Sequence, residues 1–307
     1  MSTIGERERR VIGLAPPAAT TVTVRRGPTL ARRLERGLLY LLAIGLSVAF
    51  VIPFFWAVVG SFKTPFESTA IPPTWLPESL QWSNYRTVVS VTPFLTFLRN
   101  TIFLTTVNII GGVLSSAVIA YGFARFRFPL RNVLFLILLS RLMLPHVVLV
   151  IPQYVLFSRL GWLDTYWPLT VPHWLAANPF GVFLLRQFFM TIPRDYDDAA
   201  RLDGATSFRI FWQIILPLAT PGLAALAIFT FIANWTSLFE PLIYLSSQNK
   251  MTLAVGLTWF QATGVGTMPK QSFLLAYSLL MTLPIVVVFF FAQRYFIRGV
   301  VLSGLKG

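Results

Sequence analysis

The stretch Leu38 to Gly60 (LLYLLAIGLSVAFVIPFFWAVVG) runs without a charge and is long enough to cross a bilayer as a helix, which takes about 20 apolar residues. Five more apolar stretches follow, at about 101–124, 132–152, 166–185, 214–239 and 272–293. Hydrocarbon offers no hydrogen-bond partners, so each run must satisfy its own backbone, and runs of this length predict helices. The expected fold class is all-α: a polytopic membrane protein with six transmembrane helices in one domain, 38–307, after a tail, 1–37. Composition agrees, with 55% hydrophobic and 12% charged residues and a mean hydropathy of +0.69.

Charge placement sets the expected orientation. Of the 25 basic residues, eighteen lie in the tail, in the loop of Arg125, Arg127 and Arg131, in the stretch from Arg186 to Arg209, and at the C-terminus. Lys and Arg resist translocation, so these regions and both termini are expected in the cytoplasm, with the chain multi-pass in a cytoplasmic (inner) membrane. A net charge of +14 distributed between spans is no nucleic-acid groove. The tail combines Pro16, Pro17 and arginine pairs at 25–26 and 32–33 without apolar periodicity, and is expected to be disordered. The first run lies too far from the start and is too long for a cleaved signal peptide, so it is expected to stay as a span.

Several functions are excluded. The chain has no Cys, which removes thiolate catalysis and cysteine metal sites. It has no Gly-Lys-Ser or Gly-Lys-Thr, no His-Glu-x-x-His and no Gly-x-Ser-x-Gly, so neither nucleotide hydrolysis nor a hydrolase site is expected. His146 and His173 stand in apolar surroundings with no second ligand at metal spacing; they read as structural, and no metal site is expected. Ion-coupled carriers bury carboxylates in their spans, whereas Asp164 and Glu240 fall at or beyond span ends.

One polar segment needs its own explanation: IPRDYDDAARLDGATSFRIFWQIILPLATP, residues 192–221. Pro193 and Asp195 signal a helix start, with Asp195 and Asp198 spaced as a capping box, and the helix should run to about Leu202. Gly204 permits a turn that other residues resist. Phe208, Phe211, Trp212 and Ile215 then repeat at helical spacing. A helix, a bend and a helix are predicted. Read as Asp198-Ala199-Ala200, then Gly204, Ile214, Leu216 and Pro217, the segment resembles the EAA loop of ABC importer permeases, with aspartate where glutamate is usual.

That resemblance implies that residues 192–217 form a cytoplasmic coupling loop seated in an ATPase, with Asp198, Ala199, Ala200, Asp203, Gly204, Ala205 and Pro217 as coupling residues. Asp198 caps its helix, pairs with a cation on the partner, or does both. Ser61-Phe62-Lys63-Thr64, Asn84-Tyr85, Leu160-Gly161-Trp162-Leu163-Asp164-Thr165 and the C-terminal Ser303-Gly304-Leu305-Lys306-Gly307 are similar to the carbohydrate-uptake branch related to the maltose transporter, and to its smaller, second permease. The resemblance implies a sugar or oligosaccharide as solute, with a non-sugar solute or an ion-coupled carrier as the alternatives. It implies a second permease as heterodimer partner, two ATPase subunits carrying ATP and Mg, and an extracellular or periplasmic solute-binding protein. Gly304, Lys306 and Gly307 become a candidate second ATPase contact. For the translocation path the candidates are Asn234 and Trp235, which serve either the solute or helix packing, and Arg141, the clear charge within a span, which lines the path, pairs across helices or snorkels.

Overall fold

The structure, a computed structural model, describes residues 30–304 apart from 176, 177, 264, 265 and 267; the side chains of 30–33, 146 and 294–304 are outside that description. Most of the expected disordered tail, the His146 side chain, and Lys306 and Gly307 therefore lie outside the described residues. Two compact units are present, residues 1–54 and 55–307. Among the described residues the chain is helical, with no strand.

Helix α1 (Leu30–Ser61) begins eight residues before the expected first span. Its side chains from Leu34 to Phe54 are exposed and almost wholly apolar, a surface suited to lipid rather than water. The remaining helices are α2 (Ser83–Val91), α3 (Phe94–Arg125), α4 (Arg131–Ser140), α5 (His146–Arg159), α6 (Trp167–Trp174), α7 (Pro179–Thr191), α8 (Asp195–Leu202), α9 (Ser207–Leu218), α10 (Thr220–Trp235), α11 (Phe239–Tyr244), α12 (Leu253–Thr263) and α13 (Gln271–Gly304). Three are long and apolar enough to cross a membrane: α1, α3 and α13. Bent pairs raise the number to as many as six.

Bends interrupt three of the expected runs. The expected run 132–152 is broken near Arg141 to Pro145 by 102°, and its second limb continues to Arg159. Pro145 lacks an N–H and biases Leu144 to the extended backbone it adopts (ψ 123°), which stops the first limb. The run 166–185 is two helices, α6 and α7, each opening with a proline in its first turn, and α7 continues to Thr191. The run 214–239 is bent by 77° between α9 and α10, and α10 stops at Trp235. Helix α12 was not expected at all: LAVGLTWFQAT is apolar but too short to span.

Helix α3 sits at the centre, packed on α6, α7 and α10. Its buried face repeats at Phe94, Phe97, Thr101, Leu104, Asn108 and Gly111, the three-and-four spacing of one helix stripe. At Gly111 and Gly256 the close approach is steric: a Cβ at Gly111 would stand 2.5 Å from the Trp174 ring, and one at Gly256 would meet Phe97 and the Tyr277 hydroxyl.

The short motifs noted in the sequence are turns tied by hydrogen bonds. Asn84 Nδ2 donates to the carbonyls of Ser61 and Lys63, 2.8 Å each, closing the loop after α1. Gly161 and Asp164 both have positive φ (68° and 54°) in the turn before α6. Asp164 Oδ1 accepts from the backbone N–H of Ser246 (3.0 Å) and Ser247 (2.9 Å), and Oδ2 accepts from Ser247 Oγ and Lys250 Nζ. Those bonds, the Ser247 hydroxyl first, hold the Asp164 carboxyl well below its ordinary 3.8. A depressed carboxyl contributes stability above its unfolded value and loses it as the pH falls through the folded one. The thermal midpoint of the detergent-solubilised protein should therefore drop on acidification below pH 3.8, and Asp164→Asn should lower the neutral-pH midpoint and flatten that drop. Equal acid slopes in the two proteins would contradict the assignment.

Candidate functional site

The polar segment forms an elbow. Helix α8 starts at Asp195 with Arg194 as its N-cap and no side-chain cap, so the expected Asp195–Asp198 capping box is not formed. Arg194 is itself helical (φ −70°), and its carbonyl already accepts from the N–H groups of Asp197 and Asp198. The other end closes as a Schellman turn: Ala205 N–H donates to Ala200 O (2.9 Å) and Gly204 N–H to Arg201 O (3.0 Å). Gly204 has φ +80°, the left-handed value this turn requires. Thr206 Oγ1 then caps α9 by accepting from Arg209 N–H at 3.4 Å. Within α9, Phe211–Ile215 is π-helical.

The two faces of the elbow differ. Asp198, Ala199, Asp203, Gly204 and Pro217 are exposed, and Leu202 and Phe208 are 90% and 73% exposed. Ala205 is half-buried. Pro193, Asp195, Tyr196, Ala199, Ala200, Asp203 and Ile214 line a cleft between α8 and α9. Asp198 therefore takes no part in capping and presents its carboxylate outward. Ala200 turns inward with Ile210, Phe211, Ile215 and Leu216, packing on Ala117, Ala120, Tyr121 and Ala124 of α3. Of the two alanines, Ala199 is exposed and Ala200 is buried.

Two charged residues that carry this arrangement were not singled out in the sequence. Arg125, the last residue of α3, pairs with Asp197 of α8 (Nε to Oδ2, 3.1 Å), and both side chains are buried. Arg125 Nη2 also donates to Ile192 O at 3.1 Å. Tyr121 donates to Ser207 O at 3.3 Å, and Arg194 to Ala124 O at 3.5 Å. Burial raises the Asp197 pKa, with Arg125 and Arg201 opposing that rise. The sequence signal was faint: Arg125 reads as one of several loop arginines, and Asp197 as the neighbour of a better-marked Asp198.

Inside the spans, Asn234 Oδ1 accepts from Asn108 Nδ2 at 2.6 Å, while Asn108 Nδ2 also donates to Leu169 O at 2.9 Å. Asn234 thus joins α10 to α3. Trp235, left between the solute and helix packing, is turned inward: it is 4% exposed, lies against Phe231, and donates from Nε1 to Met281 O at 2.9 Å. Arg141 is half-buried in the single 3-10 turn where α4 ends, so it marks a break within the expected run. Gly304 is the last described residue of α13. Among the described residues no cluster of three His, Asp or Glu side chains is placed to hold a metal.

Residues 109–302 match the family described as the binding-protein-dependent transport system inner membrane component. The chain belongs to that family. It is a membrane transport component, and its relatives match along nearly their whole length. The sn-glycerol-3-phosphate transport system permease protein UgpE of Pectobacterium atrosepticum is 35% identical over 85% of this chain and 94% of its own. The arabinooligosaccharides transport system permease protein AraQ of Halalkalibacterium halodurans is 34% identical over 87% of this chain and 96% of its own. The fold is that of a bacterial ABC transporter involved in the import of the acidic polysaccharide alginate, with a TM-score of 0.77 at 23% identity over 88% of this chain and 99% of that one.

Within this permease fold the Arg125–Asp197 pair makes a sharp energetic claim. Removing one partner of a buried pair costs about 3–5 kcal/mol, because the other charge is left without compensation. Arg125→Met should lower stability by that order at pH 8. A carboxyl whose folded pKa is raised destabilises the fold as pH rises toward that value, so the variant should recover as the pH is lowered. Chemical denaturation of Arg125→Met, with and without Asp197→Leu, at pH 8 and pH 5 measures both effects; the double variant should show little pH dependence.

Proposed function

We propose that this permease moves a sugar or oligosaccharide across the cytoplasmic membrane by alternating access, driven by ATPase subunits that dock on the elbow of α8 and α9. The observation that carries the mechanism is the outward face of that elbow. It combines a carboxylate (Asp198), a small residue (Ala199), a cleft and two exposed apolar side chains (Leu202, Phe208), while its inward face is bolted to α3. A surface of that kind fits a protein partner better than water. ATP and Mg belong to that partner.

In this reading six crossings are made by α1, α3, α4 with α5, α6 with α7, α10, and α13, with the elbow and both termini in the cytoplasm. The excess of Arg in the elbow and in the loop after α3 supports the orientation. A second permease of similar fold completes the path, and a binding protein delivers the solute from outside. Asp198 pairs with a cation of the ATPase, and the C-terminal residues Gly304, Lys306 and Gly307 form a second contact with it. Asn234 contributes by holding α10 to α3, Trp235 by packing, and Arg141 by marking a break that bends with the cycle.

The sugar assignment rests on AraQ, a relative matched over 96% of its length. UgpE supplies the competing reading, sn-glycerol 3-phosphate. Uptake of radiolabelled arabinooligosaccharides and of sn-glycerol 3-phosphate by cells expressing the complete transporter separates the two: saccharide uptake supports the proposal, and uptake of the phosphate ester alone overturns its substrate half. The mechanism is tested at Gly204. Proline fixes φ near −65° and cannot adopt +80°. Gly204→Pro should abolish uptake while the protein still inserts in the membrane; undiminished uptake would remove the coupling role.

A further inference from the structure

Helix α3 runs unbroken for 32 residues, a length of about 48 Å. The segments around it are bent by 102°, 74° and 77°. At one end Arg125 and Tyr121 hold the elbow through Asp197, Ile192 O and Ser207 O. At the other end Asn100 Nδ2 donates to the carbonyls of Asn249 (2.8 Å) and Met251 (2.9 Å), and Thr101 Oγ1 accepts from Leu253 N–H at 2.8 Å. The gripping side chains are Asn100 (3% exposed), Thr101 (1%) and Arg125 (8%), all on α3, so no solvent replaces these bonds if they part. The gripped segment, 246–253, is fastened in turn to Asp164 by Ser246, Ser247 and Lys250.

The covalent route from the elbow to that segment is softer. It passes a π-helical stretch, the 77° bend between Leu218 and Thr220, the whole of α10, and a second interruption between Trp235 and Phe239. Displacement entering such a route is taken up by changes of angle at its bends. Displacement entering α3 has no break to dissipate in, and separating Arg125 from Asp197 would strand a buried charge on each side.

We propose that α3 is the rod through which movement of the elbow reaches the outer segment 246–253, with Arg125, Asp197, Asn100 and Thr101 as the positioning residues that fix its two ends. The proposal rests on the reading of the elbow as the ATPase-coupling element. Closure of the ATPase on the elbow then shifts the outer segment along with it, and the two faces of the membrane change together.

Because the chain has no cysteine, a single reporter thiol can be placed at exposed Gln248 in the complete transporter. The rate at which Gln248→Cys reacts with a charged, membrane-impermeant methanethiosulfonate is compared without nucleotide and after trapping with Mg-ATP and vanadate, this chain being read out by mass. Trapping should change the rate by at least about 5-fold, the lower bound of ordinary allosteric coupling. Asn100→Leu and Thr101→Val, added singly, should abolish that change while ATP hydrolysis continues, Thr101→Ser should retain it, and Asp197→Asn should lose it from the far end. A full change persisting in Asn100→Leu and Asp197→Asn removes the rod and leaves the coupling reading standing. Failure of a thiol at exposed position 198 (Asp198→Cys) to cross-link to the ATPase removes the coupling reading, and the proposal with it.

Discussion

The structure depends on one recurring interaction: polar side chains of α3 donating to backbone carbonyls of the elements around it. Asn100 serves Asn249 and Met251, Asn108 serves Leu169, Ser115 serves His173 at 2.9 Å, and Arg125 serves Ile192. Each recipient lies in or beside a stretch where regular helix is short or ends. Hydrocarbon cannot hydrogen-bond a freed carbonyl, so a membrane protein can interrupt its helices only where protein or water supplies the partner. α3 supplies several of them. Its own regularity is what allows its neighbours to bend, and the polar residues that look out of place in an apolar run are the ones that make the broken fold affordable.

The same arrangement explains the contrast between the two ends of α3. Near the elbow the contacts are an ion pair, a hydroxyl and a cluster of alanines and phenylalanines, a tight joint built from small and aromatic residues. Near segment 246–253 they are amide-to-carbonyl bonds and a carboxylate binding two adjacent backbone N–H groups. The joint at the elbow tolerates little rotation, because Ala117, Ala120 and Ala124 bring the backbones close. The joint at the far end fixes a segment whose own helical bonds amount to a single 3-10 turn, Gln248–Lys250.

The sequence was legible where a single physical rule decided the outcome. Uncharged length marked α1, α3 and α13, and Gly204 marked the bend because few other residues take a positive φ. The breaks were less visible. Pro145 and Pro179 were in plain sight, but proline inside a membrane helix either kinks it or is absorbed, and which of these happens depends on whether a partner for the freed carbonyl stands opposite. Helix α12 was missed because eleven residues are too few to span, and the apolar run alone gave no sign that Phe97 and Tyr277 would close over Gly256. Asp197 was passed over and Trp235 was left between solute and packing for a related reason: their contacts are set by residues distant in sequence, Arg125 and Met281, which no local pattern connects to them.

The π-helical stretch Phe211–Ile215 has a further consequence for anyone comparing or grafting this elbow. A π turn holds one residue more than an α turn, so the side chains after it are rotated by about 100° from where an uninterrupted α-helix would put them. That rotation is what lets Ile210, Phe211, Ile215 and Leu216 share one inward face while Trp212 stays outside. A segment transplanted as a plain α-helix would turn part of its apolar stripe outward, and its register rather than its composition would be at fault.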